Sequence, residues 1–328
     1  MKHFKNILCV VEPEGENIYA VQRAVTLAEN NQAKLTVVSV IERITAGIGL
    51  PDGGPISAEL QAKMAQAQLQ KLESLVAAYR KRVNIQINVL QGIPFLEIIR
   101  AVLNNNYDLV VKAPENLDWQ ERVFGSNDMH LLRKCPSPVW VIKPEAPESY
   151  RHILAAVDVG EDQQVDINTQ QTFNLQILEK AMSLAISEFT ELHVVHVWNA
   201  VGESAMRGGF LKQPEEQIAA YVEQVRQVRE RGVNSLLQQV AEKLGHDTLD
   251  YLKPKIHIVK GFARKEIPLL VKHINADLVV MGTVARTGIP GFVIGNTAES
   301  ILNQIDCSVL AIKPPGFITP VTTVDWTK

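Results

Sequence analysis

Short apolar runs and longer amphipathic stretches alternate along the whole chain. The runs are NILCVVEP (Asn6–Pro13), AKLTVVSVIE (Ala33–Glu42), INVLQGIP (Ile87–Pro94), YDLVV (Tyr107–Val111) and SPVWVIKP (Ser137–Pro144), then HILAAVDV (His152–Val159), ELHVVHVWN (Glu191–Asn199), IHIVKGFA (Ile256–Ala263), ADLVV (Ala276–Val280) and CSVLAIKP (Cys307–Pro314). Each is apolar on successive residues and rich in Val and Ile, the pattern of a parallel strand covered on both faces. Helical periodicity fills the gaps: Asn17–Asn30, Ser57–Arg82, Pro94–Asn104 and Asp128–Arg133, then Thr172–Glu188, Pro214–Leu244, Arg264–Ile274 and Thr297–Gln304. The order β-α-β-α-β-α-β-α-β occurs twice. With right-handed crossovers it predicts an α/β protein of two tandem, doubly wound, parallel five-stranded sheets flanked by helices, Rossmann-like in layout.

The two halves are copies of one another. The offset between matched residues is 146 at Ile7/Ile153, 157 at Val37/Val194, 169 at Gly92/Gly261 and 170 at Lys143/Lys313. It grows in one direction, so order is kept and only connections lengthen, first in GEDQQVDINTQQ and again before the third strand of the second half. The Pro- and Glu-rich PEAPES (Pro144–Ser149) divides the halves. Domains are expected at 1–146 and 150–316, with a tail at 317–328.

Composition narrows the function. The chain is 46% hydrophobic and 21% charged with net charge −3, so no bulk basic field draws nucleic acid or an anionic membrane. QVRQVRERG (Gln224–Gly232) makes a basic helix face without the interleaved aromatics that stack bases. No apolar stretch approaches the ~20 residues of a membrane helix. The N-terminal residues read as a first strand rather than a secretory leader. Cys9, Cys135 and Cys307 form no close pair, which suits a reducing cytoplasm.

In open parallel sheets, ligands lie beyond the carboxyl ends of the strands where strand order reverses. In the second half that selects Asp158, Val197–Trp198 and the loop Met281–Thr297. Asp158 ends an apolar run. It suits a ribose or base edge, or else starts a turn or caps the next helix. The loop MGTVARTGIPGFVIGNTAES carries Gly282, Gly288, Gly291 and Gly295. Amides at Asn296 and Thr297 suit a phosphate at a helix start. The plain alternative is a cap by Asn296 or Thr297, with Glu299 as a first-turn charge. Capping needs none of the other glycines, so Gly282 and Gly288 tilt the loop toward phosphate. Arg286 either meets phosphate charge or is solvated.

At this loop the sequence resembles the universal stress protein family. Nucleotide-binding members carry G-x2-G-x9-G-(S/T) after the fourth strand, and Gly282, Ala285, Gly295 and Asn296 stand at that spacing. The resemblance covers both halves and implies a tandem member. It implies that Asp158 contacts an adenosine moiety and that Val197 lines the adenine pocket. It implies further that Met281, Gly282, Val284 and Ala285 form the first half of the motif, and Gly295, Asn296 and Thr297 the phosphate-binding second half. ATP or another adenine nucleotide is then the ligand, with no required cofactor. Ala285 replaces a glycine, a fault if that position needs φ > 0 or close approach to phosphate. Asn296 replaces Ser or Thr, and its amide donates and accepts in a similar way.

The first half departs further. KAPENLDWQERVFGSNDM follows its fourth strand, putting Ala113 at the position of Gly282, Asn116 at Ala285, Lys112 at Met281 and Glu12 at Asp158. Glu115, Asp118 and Glu121 oppose a triphosphate. This half is expected not to bind ATP, and Gly125-Ser126 reads as a helix cap.

The expectation is a cytoplasmic, non-catalytic stress-response or signalling protein with a small-molecule cleft in its second half. The halves pair within the chain through SPVWVIK and SVLAIK, and a further homodimer is open. The alternative is a nucleotide-free binding or scaffold protein. Its small, amphiphilic ligand would sit under the Gly-rich loops Ile44–Ser57 and Val201–Glu216, where Leu50, Ile56, Met206 and Phe210 are the residues to watch; both loops otherwise read as plain surface connections. No Ser-His-Asp, Cys-His or paired-carboxylate set converges on the cleft, and HxGH and SGGxDS signatures are lacking; slow ATP hydrolysis stays open. His193 and His196 face opposite sides of one strand, and His130 and His257 lack partners at ligand spacing, so no metal site is expected. Cys135 reads as a structural thiol despite Arg133 and Lys134, and Trp119, Trp140 and Trp198 as core or interface aromatics.

Overall fold

A computed structural model describes residues 4–15, 17–44, 55–115, 126–144, 146–160, 167–208, 213–245, 247–283 and 295–323. They group into two compact units, one within Met1–Glu148 and Asp306–Lys328, the other within Ser149–Gly288 and Gly295–Ile305.

In the first unit, β1 (Asn6–Val10), β2 (Lys34–Ile41), β3 (Ile85–Gln91), β4 (Leu109–Lys112) and β5 (Val139–Val141) lie in the order β3-β2-β1-β4-β5, all parallel. The order reverses between β1 and β4. Helices α1 (Ile18–Asn31) and α2 (Pro55–Val76) connect strands stepping one way, α3 (Pro94–Asn105) and α4 (Ser126–Lys134) strands stepping the other. Right-handed crossovers therefore put the two pairs on opposite faces. Both faces are covered, which is why β1, β2 and β4 are almost wholly buried.

By chain order β10 (Ser308–Ile312) closes the second repeat; by contact it belongs to the first unit. It runs antiparallel to β5, with Val309 opposite Val141 and Ala311 opposite Val139. The buried Trp140 lies opposite Leu310. Lys143 anchors the ladder through Ser308 Oγ (3.1 Å) and Asp306 (2.8 Å). Lys313 is buried and donates to Leu132 O, one of the carbonyls a helix leaves open in its last turn. Burial pulls its pKa down to about 8.

The second unit repeats the winding. β6 (His152–Ala156), β7 (Glu191–Trp198), β8 (Lys255–Lys260) and β9 (Leu278–Gly282) lie in the parallel order β9-β6-β7-β8. Helices α5 (Ile167–Glu188) and α7 (Glu215–Leu244) pack on one face, α9 (Ala263–His273) and α10 (Asn296–Leu302) on the other. Two short helices were not legible in the sequence. α6 (Glu203–Arg207) lies inside the stretch read as a Gly-rich loop, held by Arg207 to Glu203 (3.1 Å) and Glu215 (2.5 Å). α8 (Thr248–Leu252) occupies the insertion before the third strand.

The repeat extends to strained turns. Gly92 and Gly261 have φ of 147° and 150°, a region other residues avoid. At each, a Cβ would meet the side chain of the glutamate five residues on, Glu97 or Glu266, within 3 Å.

Candidate functional site

The carboxyl end of the second unit's sheet brings most of the predicted residues together. β9 runs beside β6 with Val280 opposite Ala155, so Met281 and Gly282 reach the sheet end alongside Ala156 and Val157, one residue short of Asp158. Val157 N–H donates to Val195 O (3.0 Å), which places Val197 beside Asp158 on the other flank. Gly295 N–H donates to Thr283 O (3.2 Å), so the chain re-enters α10, with Asn296 and Thr297 exposed in its first turn, where β9 ended. Val284 and Ala285, like Arg286, Trp119, Leu50 and Phe210, lie outside the described residues, as does the side chain of Ile56. Met206 is half-buried on α6.

Asp158 is presented rather than merely present. Its N–H donates to Asn174 Oδ1 (3.0 Å), and Asn174 Nδ2 donates back to Asp158 O (2.7 Å). Gln170 adds a bond to the same carbonyl (3.1 Å). The backbone is thereby fixed and the side chain stays 41% exposed. The first unit has the same staple, Glu12 N–H to Asn17 Oδ1 (2.8 Å) and Asn17 Nδ2 to Glu12 O (2.7 Å). The separation Asn17/Asn174 matches Val37/Val194, so the insertion lies between the staple's two residues. Both asparagines are visible in the sequence, but only the repeat alignment could have singled them out.

Phe173 is a second residue that sequence reasoning missed. Its ring lies against Gly282: a Cβ there would sit 2.5 Å from Phe173 Cζ and 2.6 Å from Cε1. This glycine therefore has a packing role that needs no phosphate.

Behind Asp158 lies His196, 2% exposed on the α7 side of β7. Its Nδ1 is 3.3 Å from Val157 O, 3.4 Å from Val159 N and 3.9 Å from Asp158 Oδ1, while Nε2 is buried with no hydrogen-bond partner among the described residues. With its proton on Nδ1 the neutral ring donates to Val157 O and leaves Nε2 as an unused lone pair; with its proton on Nε2 it accepts Val159 N–H at Nδ1 and buries an N–H. Burial lowers its pKa to about 4, and the Arg229 guanidinium adds to the fall.

His193 points to the other face, as alternation requires. His257 has no partner at ligand spacing along the chain; strand register supplies one. His257 Nε2 is 2.9 Å from His193 Nδ1, and His193 Nε2 is 2.6 Å from Glu191. Glu191 is shared with Lys255. Among the described residues no three His, Cys, Asp or Glu side chains are placed to hold a metal. Cys135 is buried, and desolvation lifts its thiol pKa to about 12. No described helix is long and apolar enough to cross a membrane.

The first unit's equivalent position is filled from within. Lys112, 1% exposed, bridges Glu12 Oε1 (2.7 Å) and Asp128 Oδ1. Asp128 is fully buried, and its second oxygen accepts Glu115 N–H (2.8 Å). Glu115 in turn accepts Asn127 N–H (3.0 Å). Burial disfavours the ammonium, but Asp128 and Glu12 outweigh it and raise the Lys112 pKa.

Two copies of one doubly wound α/β domain, one with a buried ion pair at its switch point, define the class of protein. The universal stress protein family model matches residues 3–143 and 149–313, so the chain belongs to that family, as a tandem member with a stress-response role. It is 32% identical over 321 residues to the universal stress protein E homolog of Haemophilus influenzae, covering 95% of this chain and 98% of that one. It is 28% identical over 334 residues to universal stress protein E of Escherichia coli K12, covering 99% of each. A solved structure of a functionally unknown protein from Pseudomonas aeruginosa PAO1 shares the fold, with TM-score 0.62, 24% identity and coverage of 95% of this chain and 94% of that one.

Proposed function

We propose that the second unit is a low-affinity adenine-nucleotide-binding module in a non-catalytic, cytoplasmic stress-response protein, and that the first unit binds no nucleotide. One observation carries this reading. The Asp158 carboxylate, held by the Asn174 staple, stands exposed at the switch point between β6 and β9, flanked by Val197 and the Met281–Gly282 strand end. A ribose or base edge needs such an acceptor at such a place. The same position in the first unit is spent on the Lys112 ion pair. The β5–β10 ladder supports pairing of the repeats within the chain.

The Phe173 ring favours a second reading, in which the cleft holds a ligand other than a nucleotide and Gly282 serves packing alone. Native mass spectrometry of freshly purified protein separates the two: an adenine nucleotide on the chain, retained by the Ala285→Gly variant and lost from Asp158→Ala, is the expected result. A different bound molecule, or a nucleotide indifferent to Asp158→Ala, overturns the first reading.

A further inference from the structure

The first unit holds a cavity that reaches Glu12 and Asn17 from the α1–α2 side. It lies between the β1 end, the start of α1 and the middle of α2, with a volume of about 550 Å3. That is within the ~300–1,000 Å3 of small-molecule pockets. Its walls are Val11, Ile18, Leu72 and Leu75, and no residue of β4 lines it. Five polar side chains line it: Glu12, Asn17, Tyr19, Gln68 and Lys71; the Glu12 carboxylate is neutralised by Lys112 and Asn17 Nδ2 is held by the Glu12 and Gly15 carbonyls. Gln68 is 5% exposed. Its Nε2 donates to Ser39 Oγ (2.9 Å), while its Oε1 accepts no bond from any described residue. Gln68 Oε1 is thus an open acceptor on the cavity wall, which a ligand N–H or O–H would satisfy. Lys71 is exposed at the mouth and makes no ion pair with a described residue.

The second repeat shows what closes this crevice. Buried Leu72 and Val76 of α2 align with buried Val233 and Leu237 of α7, so Gln68 corresponds to Arg229, Lys71 to Gly232 and Ser39 to His196. There Arg229 Nη1 donates to Val159 O (2.9 Å), and the Cβ position of Gly232 is 3.4 Å from Val159 Cβ. α7 is thus seated on the loop after β6, and the His196 ring takes the place of a hydroxyl. In the first unit the smaller Ser39 and the uncharged Gln68 leave the space open.

We propose that this cavity is a binding site for a small, mainly apolar organic anion, with a hydrogen-bond donor on Gln68 Oε1 and its negative group at Lys71. The site is separate from the nucleotide cleft and does not depend on it. The probe 8-anilinonaphthalene-1-sulfonate has this chemistry: fused rings, one N–H and one sulfonate. Titrated into the full chain, it is expected to bind saturably and to shift the NMR signals of the Gln68 side-chain amide and the Tyr19 backbone amide. Ile18→Trp, which fills the cavity from its rim, should abolish that binding. Lys71→Glu, at an exposed position that leaves the fold intact, should weaken it about tenfold. No saturable binding, unmoved Gln68 and Tyr19 signals, or unchanged affinity in Lys71→Glu overturns the proposal.

Discussion

Lys112→Ala should lower the stability of the first unit by about 3–5 kcal/mol, the usual cost of removing one partner from a buried ion pair. The ammonium is 1% exposed and contacts two carboxylates, and Asp128 beside it is fully buried. Without Lys112, the Asp128 carboxylate stays buried and loses its cation, which is costly for a buried charge. For a unit of this size the loss corresponds to a fall of roughly 10 °C in its melting transition. Lys112→Met combined with Asp128→Asn should cost much less than the sum of the single changes, because the double variant leaves no unpaired charge. The charge itself is secure at neutral pH. The folded pKa is raised, so this contribution is complete below the unfolded value of 10.5 and fades only as pH rises through the higher folded value. A melting shift of a degree or two in Lys112→Ala would mean the pair is not buried as described.

Acid should destabilise the second unit through His196. Its folded pKa, about 4, lies below the ordinary 6.5. Between those values the unfolded chain binds the proton and the folded chain does not, so stability is complete above pH 6.5 and lost as pH falls toward 4. The full loss is about 3 kcal/mol, at roughly 1.4 kcal/mol per pKa unit. The charged groups facing the ring are Asp158, 3.9 Å from Nδ1, and Arg229. His193 and His257, on the opposite face, are shifted the same way by burial and contribute with the same sign. His196→Ser, which copies Ser39 of the first repeat, should therefore flatten the slope of urea midpoint against pH without abolishing it. An unchanged slope in that variant would place the titration elsewhere.

Sequence periodicity located the long helices, with Arg82 set against an end at Val76 and Thr172 against a start at Ile167 as the largest misses, because the central strands are covered on both faces and each long helix on one. α6 and α8 escaped because a five-residue helix has too few turns to show a period. The shared sheet end was legible in outline: the placement of Asp158, Val197, Met281 and Gly282 follows from the switch-point rule and the repeat. What stayed hidden depends on distances that no spacing encodes. Phe173 meets Gly282 from a helix more than 100 residues earlier in the chain. His257 meets His193 only through strand register. The Glu12–Lys112 pair was within reach, since opposite charges stand at the positions of Asp158 and Met281, but the burial of Asp128 behind them was not.

The nucleotide reading of the second unit is tested most directly by calorimetric titration of the full chain with Mg-ATP. Saturable binding is expected at a single site per chain, lost in Gly295→Trp and strengthened in Ala285→Gly. No saturable heat at millimolar ATP, or binding that Gly295→Trp leaves intact, would contradict it.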